Sequence, residues 1–181
     1  MSDVLAKIKG ETATSSSNGK TKPRKLTLVA SKGSLDMAYP PLILANAARM
    51  SGIECDIFFT FWGVDMITKN KMHKVNIATV GNPAFSMAPY ANWFKIPTWL
   101  GLIPGMSKVA TWMMRREIAK LDFPPIPEFM EMLQDAGVNL YGCLMSMDMM
   151  GLTEEDLIDG AKVLGAMEFL EMAEDAQVMF I

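Results

Sequence analysis

Two short apolar runs with a helical stretch between them do most to limit what this chain can fold into. Leu26–Ser31 (LTLVAS) ends in the turn signal Lys32-Gly33-Ser34 and reads as a buried strand. An apolar helical stretch follows from about Asp36 to Met50. Pro40 and Pro41 fall in its first turn or two, where proline is best tolerated, and Gly52 stops it. Cys55–Thr60 (CDIFFT) is the second strand. A β-α-β unit of this kind makes its two strands parallel, and a parallel sheet needs helices on both faces.

The pattern resumes after a long interruption. Pro127–Ala136 is a helix with proline at its start and Gly137 after its end. Asn139–Leu144 (NLYGCL) is a third strand. Thr153–Ile158 opens with Thr-Glu-Glu-Asp, an N-cap followed by acids that suit the positive end of a helix dipole. Ala161–Leu164 is a short fourth strand, Met167–Ala176 a helix and Gln177–Ile181 a closing strand. Strands alternating with helices predict an α/β fold whose parallel sheet is covered on both sides.

The ends of this pattern set the domain organisation. Residues 1–24 are polar, centred on Ser15-Ser16-Ser17-Asn18-Gly19, and read as a flexible tail. Residues 25–181 form a single domain with an apolar insertion at about 68–126, too long for an ordinary connection. From Val75 to Met114 there is no acidic residue, and Lys95 and Lys108 are the only formal charges. Trp93, Trp99, Trp112, Phe85, Phe94 and Tyr90 are broken there by Pro83, Pro89, Pro97 and Pro104. Pro97 and Pro104, with Gly101, Gly105 and Lys108, rule out a simple membrane span over Ile96–Met114. Three roles stay open for the insertion: a lid over a pocket, a surface buried in a homo-oligomer, or a peripheral membrane contact through residues 75–116.

Bulk properties exclude several classes. A chain of 181 residues has room for one core. Its net charge of −3 provides no basic field for nucleic acid. Two cysteines are too few for a secreted disulfide framework, and with one histidine they do not complete a structural zinc site without carboxylates. The eighteen methionines come without an ordered Met/His motif, so they read as adaptable packing rather than as copper ligands. The opening residues have no apolar core, so no signal peptide is expected and the expected location is cytoplasmic.

In an open parallel sheet, functional groups collect beyond the carboxyl ends of the strands. Cys143 lies there, at the end of the third strand in YGCLMSMDMMGL. Backbone N–H groups at a following helix start favour an anion, and so a thiolate. From position alone, a reactive thiol and a buried small hydrophobe both stay open. Tyr141 shares a strand face with Cys143 and is an accessory candidate. Cys55 opens the second strand at the opposite sheet edge. It reads as structural, with an accessory role left open. Lys32 is the cation of the turn Ser31-Lys32-Gly33-Ser34-Leu35-Asp36, which is compatible with an anion but matches no phosphate-loop motif. No Gly-x-Ser-x-Gly elbow is present, and the single histidine, His73, has no identifiable triad partner.

Two segments carry a family likeness. LTLVASKGSLDMAYPPLILANAARMSGIECDIFFTFWGVDMI resembles the opening of DsrE/DsrF-like proteins. NLYGCLMSMDMMGLTEEDLIDGAKVLGAMEFLEMAEDAQVMFI resembles their closing half, with a cysteine after a strand and then Gly-Leu-Thr-Glu-Glu-Asp-Leu. The insertion resembles one branch of that family, often labelled peroxiredoxin-like or sulfurtransferase. The peroxiredoxin label has no support in the sequence, which contains no Thr-x-x-Cys peroxidatic loop.

The resemblance implies a flavodoxin-like three-layer α/β/α sandwich, with a mostly parallel sheet of about five strands. It also implies assembly into homo-oligomers. It implies that Cys143, the matching cysteine, accepts sulfane sulfur as a persulfide from a donor protein and passes it to an acceptor protein. That chemistry asks for no metal or other cofactor. Whether the protein is an enzyme, a sulfurtransferase, or only a carrier is left open by the resemblance. Two rival functions are an oligomeric binding module whose apolar insertion docks a membrane or partner protein, with Cys143 inert, and a nucleotide or flavin binder on the same fold.

Overall fold

The computed structural model describes residues 24–78 and 105–181. The expected N-terminal tail and the aromatic heart of the insertion, from residue 79 to residue 104, lie outside the described residues. The elements in chain order are β1 (Lys25–Ala30), α1 (Leu35–Met50), β2 (Glu54–Phe59), α2 (Met106–Lys120), α3 (Ile126–Asp135), β3 (Asn139–Cys143), α4 (Leu144–Met150), β4 (Lys162–Leu164), α5 (Ala166–Met172) and β5 (Gln177–Phe180). Two 3-10 stretches, Phe61–Ile67 and Met72–Lys74, follow β2, and a third, Glu154–Asp156, follows α4.

The strands form one sheet in the order β4-β3-β2-β1-β5, and every pairing is parallel. Alternation along the strands divides their side chains between two faces. Leu28, Ile57, Phe59 and Leu140 point to the face covered by α1 and α3, where they join Leu42, Ala45, Met130 and Leu133 in the core. Burying a side chain such as Ile57 or Phe59 contributes about 2 kcal/mol each. The other face carries Thr27, Asp56, Phe58 and Tyr141. Helix α5 covers it, stacking Phe169 on Phe58 with ring centroids 4.5 Å apart. The sandwich is therefore three-layered, as expected, with one layer much thinner than the other.

Pro40 and Pro41 fall in the second turn of α1, within the expected range, and Pro41 joins the buried stripe of the helix. The structure departs from the expected elements at two places. The expected helix at Thr153–Ile158 is only a single 3-10 turn. Its cap forms, since the Thr153 N–H and hydroxyl both donate to the Asp156 carboxylate. However, Leu157 returns to extended backbone, is buried, and pairs antiparallel with Thr68. Tertiary pairing overrides the local helix signal. The second difference is α4, which begins directly after Cys143 and ends at Gly151, a left-handed cap with φ of 64°.

The carboxyl edge of the sheet is unusually tight. A Cβ on Gly33 would run into the carbonyl oxygen of Trp62, and one on Gly63 into the carbonyl oxygen of Ala30. The loops after β1 and β2 thus meet backbone to backbone, which only glycine permits.

Candidate functional site

Cys143 is the last residue of β3 and the N-cap of α4, and it is partly exposed. The register pairs Phe59 with Gly142, so the next residues along the two strands, Thr60 and Cys143, are lateral neighbours on one face. Ser146 reaches the same place from the first turn of α4. Its hydroxyl oxygen lies 3.2 Å from that of Thr60 and accepts the Phe61 N–H at 2.8 Å. Both hydroxyls are buried. Because the Ser146 oxygen is held as an acceptor by Phe61, its proton is directed toward Thr60 or the Cys143 sulfur.

Burial alone would push the Cys143 thiol up. The hydroxyl and N–H of Ser146, the hydroxyl of Thr60 and the N–H of Met145 outweigh it and hold the thiol below its ordinary value. In the thiol form none of these is a formal cap on the helix, because the sulfur makes no side-chain capping bond. They act on the charged form, which needs donors, and among the described residues no cation lowers the thiol in their place.

Phe61, whose N–H anchors this arrangement, has φ of 46°. A left-handed aromatic residue is a strained one, costing about 1–2 kcal/mol. Around the sulfur the surface is apolar. Phe61, Trp62, Leu144, Met145 and Met149 are all exposed, Met145 by 77%.

The accessory candidates are spread out. Cys55 is at the amino end of β2, 2% exposed, and five residues back along the strands from Cys143. That is about 16 Å of strand, well beyond disulfide reach. Burial first, and then the Asp56 carboxylate, push its thiol up to about 12 against the pull of Arg49. Tyr141 shares a face with Cys143, as alternation predicts, but among the described residues no hydrogen bond joins the two. Burial and the nearby Asp56 charge push its hydroxyl up, with Lys25 opposing. It lines a polar cleft at the amino edge with Lys25, Asp56 and Asn139. There the Asp56 carboxylate pairs with Lys25 at 3.0 Å and accepts the Asn139 amide at 2.7 Å. Lys32 is exposed on the carboxyl edge, in a shallow cleft with Gly33, Ser34, Trp62 and Asp65.

Thr60, Phe61 and Ser146 escaped the sequence analysis. Thr60 was read there only as the last residue of a strand, and Ser146 only as part of a methionine-rich run. The signal available for Ser146 was its spacing, three residues past a cysteine that ends a strand, which is the position an N-cap residue addresses. Among the described residues, no three His, Cys, Asp or Glu side chains cluster closely enough to hold a metal ion. No helix of the described residues is long and apolar enough to cross a membrane.

Comparison with known proteins identifies the family and the fold. The chain is 36% identical over 157 residues to the sulfur carrier protein DsrE2 of Allochromatium vinosum, covering 86% of this chain and 96% of that protein. It is 29% identical over 156 residues to the uncharacterized protein YrkE of Bacillus subtilis, covering 86% and 94%. Among solved structures, the ychN protein from E. coli superposes with a TM-score of 0.53 at 16% identity, over 87% of this chain and 99% of that one, which shows a shared fold. The model of the DsrE/DsrF/DrsH-like family matches residues 22–181, and on that match the chain belongs to this family.

Proposed function

We propose that this protein is a sulfur carrier that holds sulfane sulfur on Cys143. The observation that carries this reading is the donor set around the sulfur: Ser146, Thr60 and the Met145 N–H lower the thiol pKa at a partly exposed strand end. The similarity to a protein named a sulfur carrier supports it.

The chemistry is thiol exchange. The Cys143 thiolate attacks the outer sulfur of a donor persulfide, R–S–SH. The donor S–S bond breaks, R–S⁻ leaves with the bonding pair, and Cys143–S–SH results without net oxidation. An acceptor thiolate then attacks the outer sulfur, and Cys143 leaves as its thiolate. A lowered pKa serves both steps, since it raises the thiolate fraction for capture and makes Cys143 a better leaving group on release. The donors around the sulfur also offer hydrogen bonds to a persulfide anion.

Donor and acceptor are proteins in this reading, and the apolar collar of Trp62, Leu144 and Met145 is the surface they cover while the two sulfurs meet. Cys55, shut in at the opposite edge, has no direct part. The protein acts as a cytoplasmic homo-oligomer, in which residues 25–181 form one domain carrying the insertion.

Intact-mass spectrometry tests the reading. After incubation with a sulfane-sulfur donor, wild type and Cys55→Ser gain roughly 32 Da that dithiothreitol removes, and Cys143→Ser does not. No gain on wild type overturns the proposal. A gain lost only in Cys55→Ser moves the site to the other edge.

A further inference from the structure

A second concavity lies away from the thiol, between α1, α2 and α3. It encloses about 260 Å³ and is walled by Leu35, Tyr39, Ile118, Phe123 and Ile126, with Arg115 at its margin. An apolar cavity of about 150 Å³ already accepts benzene, so this one has room for an aromatic ring with a short chain. Tyr39 and Phe123 pack on each other and on Phe129, with ring centroids 6.3 to 6.4 Å apart, and line the cavity with their remaining surface.

Two observations bear on the charge such a guest would carry. Arg115 is a permanent cation, and among the described residues no carboxylate is paired with it. Its two hydrogen bonds run from one nitrogen, Nη2, to the carbonyl oxygens of His73 and Val75, both at 3.1 Å. These hold the guanidinium in place while leaving its other nitrogens free. The Tyr39 hydroxyl spends its proton on the Pro124 carbonyl at 3.1 Å, so it does not compete for the cation as an anion would.

The position fits a ligand site in this architecture. Helix α1 starts just beyond the carboxyl end of β1, and α3 runs toward the amino end of β3, so its start lies at the carboxyl edge too. Ligands of open α/β sheets bind along that edge.

The geometry points to a binding site for a small aryl carboxylate, its ring lying against Tyr39 and Phe123 and its carboxylate on Arg115. This is separate from sulfur transfer and does not depend on Cys143.

Isothermal titration calorimetry on the full chain tests it, with 3-phenylpropionate as probe and 3-phenylpropan-1-ol as its neutral counterpart. Saturable one-to-one binding of the acid is expected, with the alcohol weaker on the order of tenfold. Arg115→Gln should erase that difference, and Arg115→Lys, which keeps the charge, should retain part of it. Ala119→Phe, at an exposed wall residue, should fill the cavity and abolish binding of both while the thermal unfolding midpoint holds. Absence of binding, equal binding of acid and alcohol, or unchanged binding in Ala119→Phe would each overturn the site. If Arg115→Gln unfolds, Arg115→Lys decides: loss of the acid's advantage there means that the guanidinium fork is required, and a retained advantage means that charge suffices, while the same advantage in a charge-neutral Arg115→Met overturns the role of Arg115.

Discussion

The backbone N–H of Phe61 donates to the hydroxyl oxygen of Ser146 at 2.8 Å, across a sequence separation of 85 residues. This bond ties the loop after β2 to the helix after β3. It leaves the Ser146 proton free to serve Thr60 or the sulfur of Cys143.

Replacing Ser146 by alanine should raise the Cys143 thiol pKa. The variant loses one hydroxyl donor to the thiolate, and it orphans the Phe61 N–H. Iodoacetamide alkylation followed across pH should show the half-maximal rate moved to higher pH. Stability should fall by about 1–2 kcal/mol for the unsatisfied donor. In the wild type, peptide mapping after brief alkylation near neutrality should find the label on Cys143 and none on buried Cys55.

Cys55 should make the protein sensitive to alkali. Its folded pKa is raised from 9.0 to about 12, so the unfolded chain releases this proton first. The contribution to stability is intact below pH 9 and is lost progressively as pH rises from 9 toward 12. At pH 10.5 the loss should approach about 2 kcal/mol. Cys143 works in the opposite direction, because a thiol held below its ordinary value adds stability once pH passes its folded pKa. Urea unfolding of Cys55→Ala should show a deficit of about 1 kcal/mol at pH 7 from the small cavity, and a smaller deficit or a gain at pH 10.5.

Phe61 carries measurable backbone strain. With φ at 46°, glycine fits this position better than any residue with a Cβ. Phe61→Gly should therefore be more stable than Phe61→Ala by about 1 kcal/mol, read from denaturant midpoints. At an ordinary loop residue the order would be reversed or level.

Gly63→Ala should be among the most damaging single-methyl changes in the molecule. The added carbon meets the main-chain oxygen of Ala30, which cannot swing aside as a side chain can. A loss of about 2 kcal/mol or more is expected in thermal or chemical unfolding. Alkylation of Cys143 should also lose its low-pH character, because the displaced segment includes Thr60 and Phe61.

The strands were legible because each is a short apolar run closed by glycine or a turn. The parallel pairing followed from the β-α-β pattern, whereas the strand order β4-β3-β2-β1-β5 came from the structure. Cys143 was placed correctly at the carboxyl edge, and Cys55 at the other, by counting along their strands. Thr60 and Ser146 were not legible as partners. Their meeting depends on the β2–β3 register and on a helix beginning directly after Cys143, and nothing local links residues 86 apart. The Thr-Glu-Glu-Asp signal drew the expected helix to Thr153, where the cap forms but burial of Leu157 wins. Helix α2, Met106–Lys120, was hidden because the insertion shows no clean apolar period.

The glycine contacts at the carboxyl edge have a mechanical corollary. Where main chain rests on main chain, there is no soft side chain to absorb a push. A partner pressing on Lys32 and Gly33 loads the Trp62 carbonyl directly, and Trp62 is bonded to Phe61, whose N–H holds Ser146. The first loop and the sulfur's hydrogen-bond donors behave as one rigid linkage, so that touch on the rim is felt at the thiol.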